Sequence, residues 1–145
     1  MSKPVYLVAV DGSDCSERAA ERAVNIAQKT DAEVRFVTVV PWAKYYPLYM
    51  PEVSPPIVDK KADEETERKE ILEPLMQRFK DSGVPLSAKI FWGHPVEVIH
   101  EQSKKNHVNM IFVGRQGRSK VKDLLLGSVA NSLAHKAGIP IVLVP

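Results

Sequence analysis

The sequence predicts an α/β fold. We expect a single doubly wound domain over residues 1–145, in which helices cover both faces of a five-stranded parallel sheet to give three layers. Apolar runs rich in β-branched residues alternate along the chain with stretches of helical periodicity. The run at residues 5–10 is continuous, as is typical of a strand buried on both faces. The length of 145 residues is that of one domain.

The first strand and the first helix are separated by a short polar segment. Residues 5–10 form an uninterrupted apolar run, which predicts a buried strand. Residues 16–29 repeat apolar side chains at helical spacing and predict a helix. Between them, Asp14 and Glu17 stand three residues apart, a spacing typical of a capping box. We therefore expect residues 11–14 to end the strand and lead into the helix.

A proline-rich segment follows the second strand. Glu33–Val40 is rich in β-branched residues and predicts that strand. Residues 41–58 then hold five prolines and four aromatic residues. Because proline fixes φ and lacks a backbone donor, we expect an irregular loop there. A loop of this length in a compact domain is usually functional or mobile.

The second half of the chain continues the alternation of helices and strands. A helix is predicted over residues 59–82, where Pro74 should kink or divide it and Gly83 should close it. The elements predicted after it are a strand at Leu86–Trp92, a helix at Pro95–Lys105, a strand at 108–113, a helix at 128–137 and a strand at 139–144. Strands separated by helices favour parallel pairing.

Composition and charge argue against several classes of function. The net charge of +2 gives no indication of a nucleic-acid partner. Cys15 is the only cysteine, so an intramolecular disulfide is impossible. The apolar run near the N-terminus is too short for a membrane span and unlike a signal peptide. We therefore expect a cytoplasmic protein that binds neither nucleic acid nor a membrane.

A pattern of glycines near the C-terminus predicts an anion site. Gly114 and Gly117 follow the strand at 108–113, and Gly127 and Ser128 stand at the start of the next helix. Glycine lets a ligand approach the main chain, and a helix N-terminus presents unpaired N–H groups that favour phosphate. Ser128 can cap the helix or donate its hydroxyl to a phosphate oxygen. The alternative is that these glycines serve only a turn and a helix cap.

Asp11 is the second candidate for a ligand contact. If the chain winds outward from the first strand and later returns, the first and fourth strands become neighbours, and ligands bind where strand order reverses. Asp11 and the glycine segment would then face one crevice. A carboxylate there suits a metal ion or the donors of a ribose or base. Alternatively, Asp11 only caps the first helix.

The spacing G-x2-G-x9-G-S at residues 114–128 resembles the nucleotide signature of the ATP-binding universal stress proteins. The opening VYLVAVDGSDCS, TVVP at 38–41, GHPVEVI at 93–99 and GIPIVLVP at 138–145 are similar to further segments of that family, in the same order. The resemblance implies a sheet of order 3-2-1-4-5. It also implies ATP, ADP or AMP as ligand, with Mg bridging the phosphates and Asp11 as the one protein group that could meet the metal.

The resemblance assigns nucleotide contacts to three segments and a dimer contact to the last strand. The implied contacts are Asp11, Gly12 and Ser13 after the first strand, Val39, Val40 and Pro41 at the adenine, and Gly114, Arg115, Gly117, Arg118, Gly127, Ser128 and Val129 around the ribose and phosphates. The implied homodimer pairs Ile141, Val142, Leu143 and Val144 with their copies. Family members often carry a small polar and then a basic residue between the first two glycines. This chain has Arg115 and then Gln116, so Arg118 could take over the basic role.

Three functions fit these observations. The first is a nucleotide-loaded stress-response or signalling module, which the absence of a G-x4-G-K-[ST] phosphate loop favours. The second is a slow ATPase or an adenylate-forming enzyme using the same crevice, so whether the protein is an enzyme stays open. The third is a stress-regulated interaction protein that binds no nucleotide.

Overall fold

A computed structural model, which describes residues 3–40, 60–116 and 128–145, contains a five-stranded sheet of order β3-β2-β1-β4-β5. All four ladders between neighbouring strands are parallel. The strands are β1 (Val5–Ala9), β2 (Glu33–Val40), β3 (Leu86–Trp92), β4 (Met110–Gly114) and β5 (Ile141–Val144). The predicted fold class and strand order are therefore confirmed.

The helices lie between these strands in the chain. They are α1 (Asp14–Thr30), α2 (Lys60–Glu67), a π turn (Arg68–Leu72), α3 (Glu73–Arg78), α4 (Pro95–Lys105) and α5 (Ser128–Lys136). The start of α4 at Pro95 and that of α5 at Ser128 agree with the sequence prediction. In the described part of the chain, no helix is both long and apolar enough to cross a bilayer.

Two apolar clusters fill the space on the two faces of the sheet. One cluster joins α1, the π turn and α3 to the strand side chains Tyr6, Val8, Val34, Phe36 and Phe112. The other joins α4 and α5 to Val5, Leu7, Val37 and Ile111. Successive strand residues point to opposite faces, so β1 and β4 are buried on both sides. Continuous apolar runs are the consequence in the sequence, which is why they predicted these strands.

Pro74 divides the helical segment in an unexpected way. The prediction was that Pro74 would kink or divide the helix. The helix is divided, because the π turn just before Pro74 separates α2 from α3. The chain nevertheless stays helical, with Glu73 N donating to Arg68 O. A proline in a regular helix removes one hydrogen bond and its ring clashes with the carbonyl four residues earlier. The wider turn lets the helix continue through Pro74 to Arg78, four residues short of the predicted end.

Several element boundaries differ from the prediction. The fourth strand begins at Met110 and not at residue 108, because Val108 N donates to Ser103 O and so completes the end of α4. His107, with φ of 51°, makes the turn there. The last strand begins at Ile141, two residues late. The predicted loop at 41–58 lies outside the described residues.

Candidate functional site

The point where strand order reverses lies between β1 and β4. These neighbours pair in parallel, with Ala9 opposite Val113, while β2 lies on the other side of β1. The segments that follow β1 and β4 therefore leave from the same edge of the sheet. The predicted proximity of the Asp11 segment and Gly114 is thus present, and crevices at such a point are the usual ligand sites of this architecture.

The segment Asp11-Gly12-Ser13, here called the Asp11 loop, is a tight turn at the start of α1. Gly12 has φ of 85°, a conformation that glycine adopts without steric cost. Asp11 Oδ1 accepts a hydrogen bond of 2.9 Å from Ser13 N. Ser13 is the N-cap, and its Oγ accepts from Ser16 N at 3.2 Å. The predicted cap at Asp14 is therefore wrong by one residue, because the turn at Gly12 leaves Ser13 extended and Asp14 already helical.

Two buried hydroxyl groups hold the Asp11 loop to the rest of the fold. Thr38 of β2 donates from Oγ1 to Val10 O at 2.7 Å. Ser16 Oγ accepts from Asp11 N at 3.3 Å and donates to Ser13 O at 2.9 Å. Neither residue was among the predicted contacts. The only signal in the sequence is the S-x-x-S spacing of Ser13 and Ser16, which resembles that of a capping box.

Gly114 stands where the first turn of α1 crosses the end of β4. A β-carbon at Gly114 would lie 2.7 Å from Cys15 Cβ and 2.9 Å from both Cys15 C and Ser16 N. The absence of a side chain therefore lets α1 approach the strand. Gly114 thus lets the first turn of α1, which follows the Asp11 loop, pack against the end of β4, and this packing role does not depend on any ligand.

The structure describes some of the remaining predicted contact residues and not others. Val39 is half-buried, and Val40 is buried and accepts from Gly93 N at 3.1 Å. Arg115 donates from N to Val144 O at 2.7 Å while its side chain is exposed. Ser128 is exposed and Val129 half-buried at the start of α5. Pro41, Gly117, Arg118 and Gly127 lie outside the described residues.

The reverse side of the Asp11 loop faces α3 and the π turn. Ile71 Cγ1 lies 3.5 Å from the position that a β-carbon of Gly12 would take. A cavity of about 210 Å³ opens beside this contact, lined by Gly12, Ser16, Glu17, Glu70, Ile71, Pro74, Leu75 and Arg78. Arg78, which lines this cavity, forms an ion pair with Glu21, with 2.9 Å between Arg78 Nη2 and Glu21 Oε2. The loop is thus supported by apolar packing behind and by hydrogen bonds at its sides.

Comparison with known proteins identifies the family. The model of the universal stress protein family matches residues 5–145. The chain belongs to the universal stress protein family. Universal stress protein MJ0531 of Methanocaldococcus jannaschii is 31% identical over 138 residues, covering 95% of this chain and 79% of that one. Universal stress protein YxiE of Bacillus subtilis is 30% identical over 145 residues, covering 95% and 96% of the two chains.

Solved universal stress proteins share the fold. UspA of Lactobacillus plantarum superposes with a TM-score of 0.80 at 23% identity over the whole of both chains. A universal stress protein in complex with cAMP gives a TM-score of 0.69 at 25% identity, covering 99% of this chain and 98% of that one. A universal stress protein of Archaeoglobus fulgidus in complex with dAMP gives 0.68 at 20% identity, covering 99% and 98%.

Proposed function

We propose that this universal stress protein binds ATP, or its products ADP and AMP, in the crevice between the Asp11 loop and the segment after β4. The observation that carries the proposal is the packing of the first turn of α1, which directly follows the Asp11 loop, against Gly114 at the point of strand reversal. The G-x2-G-x9-G-S spacing begins at that same glycine. Two structural neighbours hold adenine nucleotides, cAMP and dAMP, which supports the same class of ligand here.

The proposed contacts divide by chemistry. Asp11 offers a carboxylate to the ribose or base donors, and the backbone of residues 39–41 meets the adenine. Gly114, Gly117, Gly127 and Ser128 offer backbone N–H groups and a hydroxyl to the phosphates, as a helix N-terminus does. Arg115 or Arg118 adds a positive charge, and Gly12, Ser13 and Val129 complete the lining.

Mg fits this site only as a partner of the phosphates. The described residues contain no group of three or more His, Cys, Asp or Glu side chains able to hold a metal ion. Mg prefers oxygen ligands, keeps several waters and commonly binds through one carboxylate plus substrate phosphates. Asp11 is the carboxylate that this chain offers, and the bound ion would neutralise charge on the phosphates.

The cellular role that we propose is a small cytoplasmic stress-response or signalling module, formed by one domain over residues 1–145. Nucleotide occupancy would be the signal that such a module carries.

ATP with Mg should bind with a Kd of about 1 µM or tighter, equivalent to about −8.2 kcal/mol. Titration calorimetry on the purified protein measures this affinity, and mass spectrometry of the ligand released on denaturation identifies what the protein carries from the cell. Absence of both binding heat and a thermal shift at millimolar ATP would contradict the proposal.

We also propose a homodimer formed by antiparallel pairing of β5 with its copy. β5 is the edge strand beside β4, and Ile141, Val142 and Leu143 are only half-buried. Exposed apolar edges are usually covered or paired. Light scattering should give twice the 16.2 kDa chain mass.

A proline variant tests the dimer without removing a bond of the β4 ladder. Pro140 O accepts from Ile111 N of β4, and Val144 O accepts from Arg115 N just after β4. Because strand groups alternate in direction, the N–H of Leu143 points away from β4. Leu143→Pro should therefore give the monomer mass, while Val142→Pro should instead weaken the fold. An unchanged dimer in Leu143→Pro would place the interface elsewhere.

A further inference from the structure

Ser16 bonds to the residues on both sides of Gly12. Its side chain is almost fully buried, with 3% of the residue exposed. The hydroxyl accepts from Asp11 N, before the glycine, and donates to Ser13 O, after it. Ser16 N also donates to Ser13 Oγ. A single residue of α1 therefore fixes the entry and the exit of the Asp11 loop.

Helix capping accounts for only part of this arrangement. The bond from Ser16 N to Ser13 Oγ is an ordinary N-cap bond, and the bond from Ser16 Oγ to Ser13 O also stays within the first turn of α1. Asp11 lies outside the helix, so its bond to Ser16 Oγ has no place in capping. That bond holds the Asp11 main chain, while Ser13 N holds Asp11 Oδ1 at 2.9 Å. The two bonds together set the direction of the Asp11 carboxylate, and Ser16 contributes the one at the backbone.

We propose that Ser16 is a positioning residue for the nucleotide, acting through Asp11. The inference rests on the proposed nucleotide binding. Gly12 is permissive in its backbone angles. Without the Ser16 hydroxyl, the bond from Ser13 N to Asp11 Oδ1 would be the one side-chain bond described across Gly12, and the loop would sample more conformations. Ordering it would then oppose binding, because a preorganised site loses less conformational freedom when the ligand arrives. Ser16 needs no contact with the nucleotide to have this effect.

Ser103 provides a matched control for Ser16→Ala. It is 5% exposed, and its Oγ donates to the carbonyl three residues earlier, His100 O, at 2.7 Å. It lies in α4 on the opposite face of the sheet from α1. The two alanine variants therefore remove the same atom from similar surroundings, but only one of them faces the Asp11 loop.

Calorimetry on the two variants tests the inference. We expect Ser16→Ala to bind ATP about tenfold more weakly, which corresponds to about 1.4 kcal/mol, while Ser103→Ala keeps the affinity of the unmodified protein. In an Asp11→Ala background, Ser16→Ala should cause no further loss, because residues that act through one another are not additive. The inference would be overturned if Ser16→Ala and Ser103→Ala bound ATP with equal affinity. It would also be overturned if Ser16→Ala caused the same tenfold loss of affinity in the Asp11→Ala background.

Amide hydrogen exchange without nucleotide separates this inference from the proposed function. Ser16→Ala should speed exchange at residues 11–13, whereas Ser103→Ala should leave those amides protected. Unchanged exchange in Ser16→Ala would overturn the positioning role even if ATP binds. If the unmodified protein binds no nucleotide, the proposed function fails and the nucleotide role of Ser16 fails with it, while the exchange data still decide whether Ser16 orders the loop.

Discussion

Replacing Gly114 by alanine should lower the free energy of unfolding by about 3 kcal/mol, the upper end of the usual range for overpacking. The added methyl group would lie 2.7 Å from Cys15 Cβ and 2.9 Å from Ser16 N. These atoms are backbone atoms of α1 and the β-carbon of Cys15, so the clash cannot be relieved by rotating a flexible side chain. The first turn of α1 would have to move away from β4. The midpoint temperature of thermal unfolding should fall by roughly 10 °C for a chain of this size.

Gly138→Ala is the control for this prediction. A β-carbon at Gly138 meets no atom within 4 Å, so the change in stability should stay within about 0.5 kcal/mol. Denaturant unfolding of both variants measures the difference. Equal midpoints would show that α1 and β4 are less tightly packed than the structure has them. Because Gly114→Ala acts on the fold, its effect on ATP binding should be expressed per folded molecule.

The fold could be predicted from the sequence because both faces of the central strands are buried. Ile111 and Phe112 point to opposite faces of β4, and neither is exposed to solvent. Strands in that environment must be continuously apolar, and the helices between them must carry one apolar face. The order of the sheet depended on the family resemblance, since periodicity alone does not say which strands are neighbours.

The π turn could not be predicted from the sequence. Pro74 indicated an irregularity, but its ring is compatible with a kink, a break or a wider turn. The wider turn is found where Ile71 and Leu72 are buried against the sheet. We attribute its choice to the apolar packing of these two side chains, which is not a local property of the sequence.

The candidate site was predicted in part. Asp11 and Gly114 were expected at neighbouring strand ends and are found there. Thr38 and Ser16 were missed because their partners are backbone atoms of Val10, Asp11 and Ser13. A hydroxyl that bonds to the main chain leaves no recognisable pairing of side chains in the sequence. The sequence placed the N-cap at Asp14 and not at Ser13, because two acidic residues three positions apart, such as Asp14 and Glu17, also occur inside the first turn of a helix.

Asp11→Asn should weaken ATP binding by about tenfold to a hundredfold while the protein stays folded. Asparagine keeps an oxygen that can accept from Ser13 N, as Asp11 Oδ1 does at 2.9 Å, so the Asp11 loop should remain intact. The substitution removes the negative charge, and hydrogen bonds to charged groups contribute roughly 1.5–3 kcal/mol each. At 1.4 kcal/mol for each factor of ten, this contribution gives the expected loss.

Asp14→Asn removes the same charge three residues later and serves as the control. Asp14 is exposed in the first turn of α1. The interaction of its carboxylate with the helix dipole stabilises the fold by about 0.3–1 kcal/mol. The variant should therefore lose a little stability and no affinity for ATP. Calorimetry and thermal unfolding on both variants separate the two effects. If Asp11→Asn binds ATP as tightly as the unmodified protein, the Asp11 carboxylate serves only the turn that begins α1, and the proposed nucleotide contacts reduce to those of residues 39–41 and of the segments after β4 and at the start of α5.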